Sequence, residues 1–174
     1  ALRESIALDI NNKYNLDLSK EQVLITHGAR FALYLAVSTN MPPGGSALFF
    51  EPAYPAYRKI IENFEGRPIA ISTYLEDNWE PNIKKIEEHN ELPDIIIINS
   101  PTNPTGKILN SKILDKLVNF AIKNDITIIS DEVYKEYAFK TCKSILQYSK
   151  TKFIFTSSFS KSHSMAGFRI GYAI

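Results

Sequence analysis

The sequence has very little cysteine and no long apolar run. Its single cysteine, Cys142, leaves no partner for an internal disulfide. The longest purely aliphatic run, residues 95–98, is far shorter than the roughly 20 residues that a membrane-spanning helix needs. The first residues mix charged and apolar side chains, unlike the basic and then apolar order of a signal peptide. We therefore expect a reducing, cytoplasmic location and no membrane partner.

An excess of charge of either sign is also absent. The 174 residues include 20 Lys and Arg against 19 Asp and Glu, with bases and acids interspersed. This balance provides no field that would steer a polyanion, so we expect no nucleic-acid partner. Internal repeats and low-complexity tracts are missing too. At 44% hydrophobic, the chain is able to bury one core, and residues 1–174 are expected to form a single domain.

Seven short runs rich in β-branched and aromatic residues alternate with longer amphipathic segments. The runs are VLIT, ALFF, PIAIS, DIIIIN, ITIIS, FIFTS and FRIGYAI. Among the segments between them, residues 111–124 carry apolar side chains at helical spacing and predict a crossover helix. The alternation predicts an α/β fold, a three-layer αβα sandwich with a mostly parallel sheet. The chain opens in a helical pattern and stops in a strand pattern, so we expect a piece of a longer protein.

The most informative segment is SSFSKSHSMAGFRIGY, residues 157–172. It follows a predicted strand, which places Ser158 and Lys161 at the strand's carboxyl end, where ligands bind in open α/β sheets. Arg169 is able to return a permanent positive charge to the same crevice. A lysine beside a hydroxyl and an arginine suits an aldehyde that also carries a phosphate, and pyridoxal phosphate is such a molecule. The alternative is a solvated lysine near a structural arginine.

Two further segments place polar groups after predicted strands. Gly28 and Ala29 precede a helical run, so the free N–H groups of a helix start would face the crevice and suit an anion. Asp131 ends an apolar strand, where a carboxylate needs a cationic partner such as a protonated pyridine nitrogen. Tyr134 shares that ligand only if the chain turns after Asp131. Helix capping by Asp131 and packing by Tyr134 are the alternatives.

Two proline-rich segments follow other strands. NSPTNPTG, residues 99–106, holds Asn103 on a rigid turn, where it could donate to a phenolate oxygen or serve only as a turn former. EPAYPAY, residues 51–57, offers Tyr54 as a flat face against an aromatic ring. Tyr57 is expected to be a packing residue.

Taken in this order, GAR, PAYPAY, SPTNPTG, SDEVY and SFSK followed by GFRIGY closely resemble the class I/II aminotransferases. The resemblance covers essentially the whole chain and implies the large, cofactor-binding domain of the aspartate aminotransferase superfamily, fold type I of the pyridoxal phosphate enzymes. It implies seven strands, the last antiparallel, and no metal. It also implies a homodimer in the full-length protein, and an amino acid and a 2-oxo acid as substrates.

The same resemblance implies a role for each motif residue. Lys161 is similar to the lysine that bonds covalently to the cofactor, and Asp131 to the acid that pairs with the pyridine nitrogen. The remaining implied roles are Tyr134 and Asn103 as donors to the phenolate oxygen, Tyr54 as the ring-stacking aromatic, Gly28, Ala29 and Arg30 as the phosphate-binding helix start, and Ser158 and Arg169 as side-chain phosphate ligands.

The chain also departs from the family pattern. Ala29 replaces a glycine that many members carry, and Arg30 stands in place of a small hydroxyl residue. The small carboxyl-terminal domain, with its substrate-clamping arginine, and the amino-terminal arm are absent from residues 1–174, so we expect this piece alone to be catalytically incompetent. A related lyase, decarboxylase or synthase would keep the same residues. So would the non-enzymatic effector-binding domain of a transcription regulator.

Overall fold

The computed structural model describes all 174 residues, and its centre is one seven-stranded sheet. The strands are β1 (Leu24–Thr26), β2 (Ser46–Glu51), β3 (Arg67–Ser72), β4 (Ile95–Asn99), β5 (Thr127–Asp131), β6 (Phe153–Ser158) and β7 (Gly171–Ala173). Their order across the sheet is β1-β7-β6-β5-β4-β2-β3. Only β7 runs antiparallel to its neighbours, β1 and β6. The prediction of seven strands with the last one antiparallel is confirmed.

Six α-helices accompany the sheet, the first before β1 and the others between strands. They are α1 (Leu2–Tyr14), α2 (Ala29–Asn40), α3 (Ala56–Asn63), α4 (Ile83–Glu87), α5 (Ser111–Asn124) and α6 (Phe159–Ser162). The helix predicted over residues 111–124 is confirmed with the same bounds, because the Asn110 side chain accepts the N–H of Lys112 at 2.9 Å and Asp125 ends the helix in the left-handed conformation. None of these helices combines the length and the apolar character that crossing a bilayer requires.

Alternation along the central strands produces two cores, one on each face of the sheet. One face carries Leu48, Ile96, Ile98 and Ile128, which pack with buried residues of α1, α4 and α5. The other carries Ala47, Phe49, Ile95, Ile97 and Ile129, which pack with α2 and α3. Because both faces are covered, the residues of β4 are buried almost without interruption. The predicted three-layer sandwich is confirmed.

The parallel strands deliver their carboxyl ends to one edge of the sheet. Asn99, the last residue of β4, is paired with Asp131, the last residue of β5. In the strand after these, β6 ends at Ser158, which is paired with Gly171 at the start of β7. Loops that leave this edge are therefore neighbours in space although they are distant in sequence, which is where open α/β sheets bind ligands.

Candidate active site

A cavity of about 340 Å³ lies at this edge of the sheet. Nine of the ten residues singled out from the sequence line it: Ala29, Arg30, Tyr54, Asn103, Asp131, Tyr134, Ser158, Lys161 and Arg169. The tenth, Gly28, is buried directly behind the Arg169 guanidinium. The structure thus brings the predicted residues together, while their individual roles stay predictions.

The start of α2 forms one end of the cavity. Gly28 precedes the helix with a positive φ of 79°, and no backbone carbonyl accepts from the N–H groups of Ala29 and Arg30. The Thr26 hydroxyl donates to the Gly28 carbonyl at 3.0 Å and fixes the turn. Free N–H groups and the positive end of the helix dipole make this end of the cavity suitable for an anion.

Arg169 reaches the same end of the cavity from the β7 side. Its backbone is left-handed, with φ 55°, and its Nη1 donates to the Ala166 carbonyl at 3.0 Å. A Cβ on Gly28 would lie 2.5 Å from Arg169 Nη2. A side chain on residue 28 would therefore force the flexible end of Arg169 to shift from this position. The positive φ is a second and independent reason for glycine here.

Asp131 also lines the cavity and is only 4% exposed. Its Oδ2 accepts the hydroxyl of Tyr57 at 2.8 Å, and its Oδ1 accepts the N–H of Val133 at 3.3 Å. Burial raises the pKa of this carboxyl to about 6, and the neighbouring Glu132 adds to the rise, whereas the two hydrogen bonds oppose it. No lysine or arginine lies within ion-pair distance of it. The site thus holds a carboxylate that a cationic ligand would stabilise.

Lys161 lies on α6, the single helical turn that follows β6. Its side chain is exposed at the mouth of the cavity, with Nζ 5.6 Å from the centre of the Tyr134 ring. The Tyr137 hydroxyl donates to the Lys161 carbonyl at 2.5 Å and so ties this turn to the segment after β5. The chain turns directly after Asp131, as sharing of one cavity by Asp131 and Tyr134 requires.

The loop after β4 carries Asn103, and Asn99 holds that loop in place. The Asn99 side chain accepts the N–H of Asn103 at 2.7 Å and donates to the Asp131 carbonyl at 2.8 Å. Tyr54, from the loop after β2, is half-buried and meets the Tyr57 ring edge to face, with centroids 5.7 Å apart. These contacts set the backbone positions from which both side chains enter the cavity.

Sequence reasoning missed three residues of this site. Tyr57, expected only to pack, donates to Asp131; Asn99 braces two loops; Tyr137 holds the Lys161 turn. A signal existed for Asn99, a polar residue at the carboxyl end of a buried strand. For Tyr57 no local signal pointed to its partner, because Asp131 lies 74 residues away in the sequence. Tyr137 carried none.

The fold and the cavity together define an α/β domain whose charged and polar residues gather at the carboxyl edge of its sheet. The model of the aminotransferase class I and II family matches residues 1–174. The chain belongs to that family.

Named relatives agree with this assignment. The aspartate aminotransferase of Thermotoga maritima is 36% identical over 177 residues, and that of Sulfolobus acidocaldarius is 30% identical over 179 residues. The matches cover 99% of this chain but 47% and 45% of those proteins. The chain therefore spans about half the length of the curated relatives that it matches.

Solved structures show the same likeness in three dimensions. The crystal structure of the T. maritima enzyme superposes with a TM-score of 0.94 at 36% identity, covering 99% of this chain and 47% of that one. An aromatic aminotransferase from Pyrococcus horikoshii superposes with a TM-score of 0.93 at 29% identity, covering 99% and 48%.

Proposed function

We propose that residues 1–174 are the cofactor-binding large domain of a pyridoxal-phosphate-dependent aminotransferase, which moves an amino group between an amino acid and a 2-oxo acid. The observation that carries the proposal is the meeting of Lys161, Asp131 and Arg169 at one cavity in a chain of this family. The names of the relatives differ in substrate, aspartate for one and aromatic for another. The proposal therefore extends to the substrate class and to no single amino donor.

The anion-binding end of the cavity fits the cofactor's phosphate. Gly28 lacks the Cβ that would displace the Arg169 guanidinium, so an arginine fork and free helix N–H groups are available side by side. Arginine and a helix start are the two groups that proteins use most directly for phosphate. Ser158, buried at the start of α6, lines the same space and is proposed as a further donor.

The centre of the cavity fits the pyridine ring. Asp131 is a buried carboxylate without a cationic partner, and a protonated ring nitrogen would supply one. Tyr134 and Asn103 are proposed to donate to the phenolate oxygen, and Tyr54 to lie against the ring face. The donor set thus matches the charges of the cofactor at each end: cations for the phosphate, an anion for the nitrogen.

When bound, pyridoxal phosphate supplies an electron sink for the bond broken at the substrate's α-carbon. In that reaction Lys161 would hold the cofactor through its Nζ and would accept the substrate's α-proton at the same atom. Asp131 would favour the protonated form of the ring nitrogen through its negative charge. Arg169 and the start of α2 would hold the phosphate, so that the cofactor keeps one position relative to Lys161.

The complete protein is proposed to extend beyond this domain. Relatives are about twice as long, and a substrate-clamping arginine from a smaller carboxyl-terminal domain is part of the proposal, as is an amino-terminal arm. We further propose a homodimer in the cytoplasm, with no nucleic-acid or membrane partner. On this view residues 1–174 bind cofactor but do not turn over substrate alone.

Covalent labelling tests the platform. The chain is incubated with pyridoxal phosphate, reduced with borohydride and mapped by peptide mass spectrometry. We expect one labelled lysine, Lys161, and no label at that site in Lys161→Ala. Lys152→Ala is the matched control, because Lys152 is an exposed lysine paired with Asp125 away from the cavity. Equal labelling of Lys161→Ala and the control protein would contradict the proposal.

Product analysis of the complete protein tests the reaction. Supplied with a panel of amino acids and 2-oxo acids, an aminotransferase forms a new amino acid and a new 2-oxo acid in equal amounts. Release of carbon dioxide or ammonia instead would assign a lyase or decarboxylase.

A further inference from the structure

Tyr57 has contacts that packing alone does not require. It is the second residue of α3 and is only 3% exposed. Its hydroxyl donates to Asp131 Oδ2 at 2.8 Å, across 74 residues of sequence. No other side chain donates to that carboxylate; the remaining donor is the Val133 N–H, on Oδ1.

We propose that Tyr57 is a positioning residue of the site, whose hydroxyl orients the Asp131 carboxylate and holds it in the ionised form. The role of Asp131 toward a bound cofactor rests on the function proposed above. The pairing itself is a property of this chain's own residues and is testable without any cofactor.

The Tyr57 side chain is held in place by its surroundings. Its ring lies 6.3 Å from the Phe49 ring of β2 and 5.7 Å from the Tyr54 ring, tilted steeply to each. The Tyr57 N–H also donates to the Tyr54 carbonyl at 3.1 Å. One side chain therefore contacts both the carboxylate and the proposed ring-stacking aromatic, and it fixes the position of each relative to the other.

The charges and burial of the two groups make Tyr57 the donor and Asp131 the acceptor of this hydrogen bond. Burial, and then the negative charge of Asp131, raise the pKa of the Tyr57 phenol well above its usual 10.0, so Tyr57 stays a donor at neutral pH. A hydroxyl that donates to a carboxylate favours its charged form, which opposes the effect of burial on Asp131. The negative charge of Glu132 raises the pKa of Asp131, as burial does. The side chains of Lys161 and Arg169 line the same cavity, but neither lies within ion-pair distance of Asp131.

The test follows the Asp131 carboxyl itself. With 13C-labelled aspartate and no cofactor, the titration midpoint of Asp131 is measured by NMR in the wild type and in Tyr57→Phe, which removes only the hydroxyl. We expect the midpoint to rise by about one pH unit. Tyr148→Phe is the matched control, because Tyr148 also donates to a carboxylate, that of Asp115 on the surface, and should leave Asp131 unchanged. An unmoved midpoint in Tyr57→Phe would overturn the inference.

A reciprocal measurement covers the case in which Tyr57→Phe does not fold. With ring-labelled tyrosine, Asp131→Asn should lower the pKa of the Tyr57 phenol, because the negative charge beside it is gone. Identical titration of Tyr57 in the wild type and in Asp131→Asn would also overturn the inference. Both experiments omit cofactor, so a chain that keeps the pairing but fails to label at Lys161 would contradict the proposed function alone.

Discussion

Asp131→Asn should gain stability relative to the wild type as pH rises from acid to neutral in the cofactor-free chain. The carboxyl is buried, and its pKa rises from the usual 3.8 to about 6. Because the folded state binds this proton more tightly than the unfolded chain, stability is greatest below the unfolded pKa and falls as pH rises through the window from about 4 to about 6. A rise of this size costs about 3 kcal/mol at neutral pH. Asparagine carries no charge to bury.

The assay is urea unfolding of both proteins between about pH 4 and pH 7.5. Losing a good acceptor for Val133 or Tyr57 costs Asp131→Asn a similar amount at every pH, so the informative quantity is the change in the stability difference with pH. We expect the free energy of unfolding of the variant, relative to that of the wild type, to rise by about 2 kcal/mol from the acid to the neutral end of the range.

A constant difference across this range would refute the reasoning. Asp115→Asn supplies a control of opposite sign. Hydrogen bonds from Lys143 and Tyr148 lower the pKa of the partly exposed Asp115, so its contribution to stability is present above its usual pKa and disappears as pH falls. This variant should therefore be less stable to urea than the wild type at neutral pH and equally stable in acid.

Two further substitutions test the frame of the cavity. Gly28→Ala should weaken binding of pyridoxal phosphate about tenfold by displacing the Arg169 guanidinium, as measured by fluorescence titration. Gly44 also has a positive φ, but an added Cβ would meet nothing within 4 Å. Gly44→Ala should therefore lose about 1 kcal/mol of stability and keep its affinity for pyridoxal phosphate. Equal affinities in the two variants would contradict the clash at Gly28. Asn99→Ala should cost about 2 kcal/mol in urea unfolding, because it removes two hydrogen bonds that join the ends of β4, β5 and the following loop. Asn124→Ala, which removes one such bond at a helix end, should cost less, and an equal loss would count against this bracing.

The elements of the fold were predictable because their signals are local. Apolar runs of strand length, helical spacing over residues 111–124 and the caps Asn110 and Asp125 are all read within a few residues. The antiparallel direction of β7 was different. That prediction came from the family resemblance, since no local feature of FRIGYAI shows which way β7 runs relative to its neighbours.

The candidate site divides in the same way. Lys161, Ser158 and Arg169 fall in one short segment after one strand, and the end of a strand is enough to place them at the ligand edge. Asp131 was suspected because a carboxylate at the end of an apolar strand needs an explanation. In each case one segment and one rule suffice.

By itself, then, the chain's sequence determined the secondary structure, the layering and the edge at which polar residues gather. Only the tertiary structure decided which of those residues touch. Tyr57 meets Asp131 across 74 positions, Asn99 meets it across 32, and Tyr137 meets Lys161 across 24. Such pairs depend on the order of the strands in the sheet and on where each strand ends relative to its neighbours. Both are set by the packing of the two cores. Sequence periodicity reports the face that a residue occupies but carries no information about its partner from another strand.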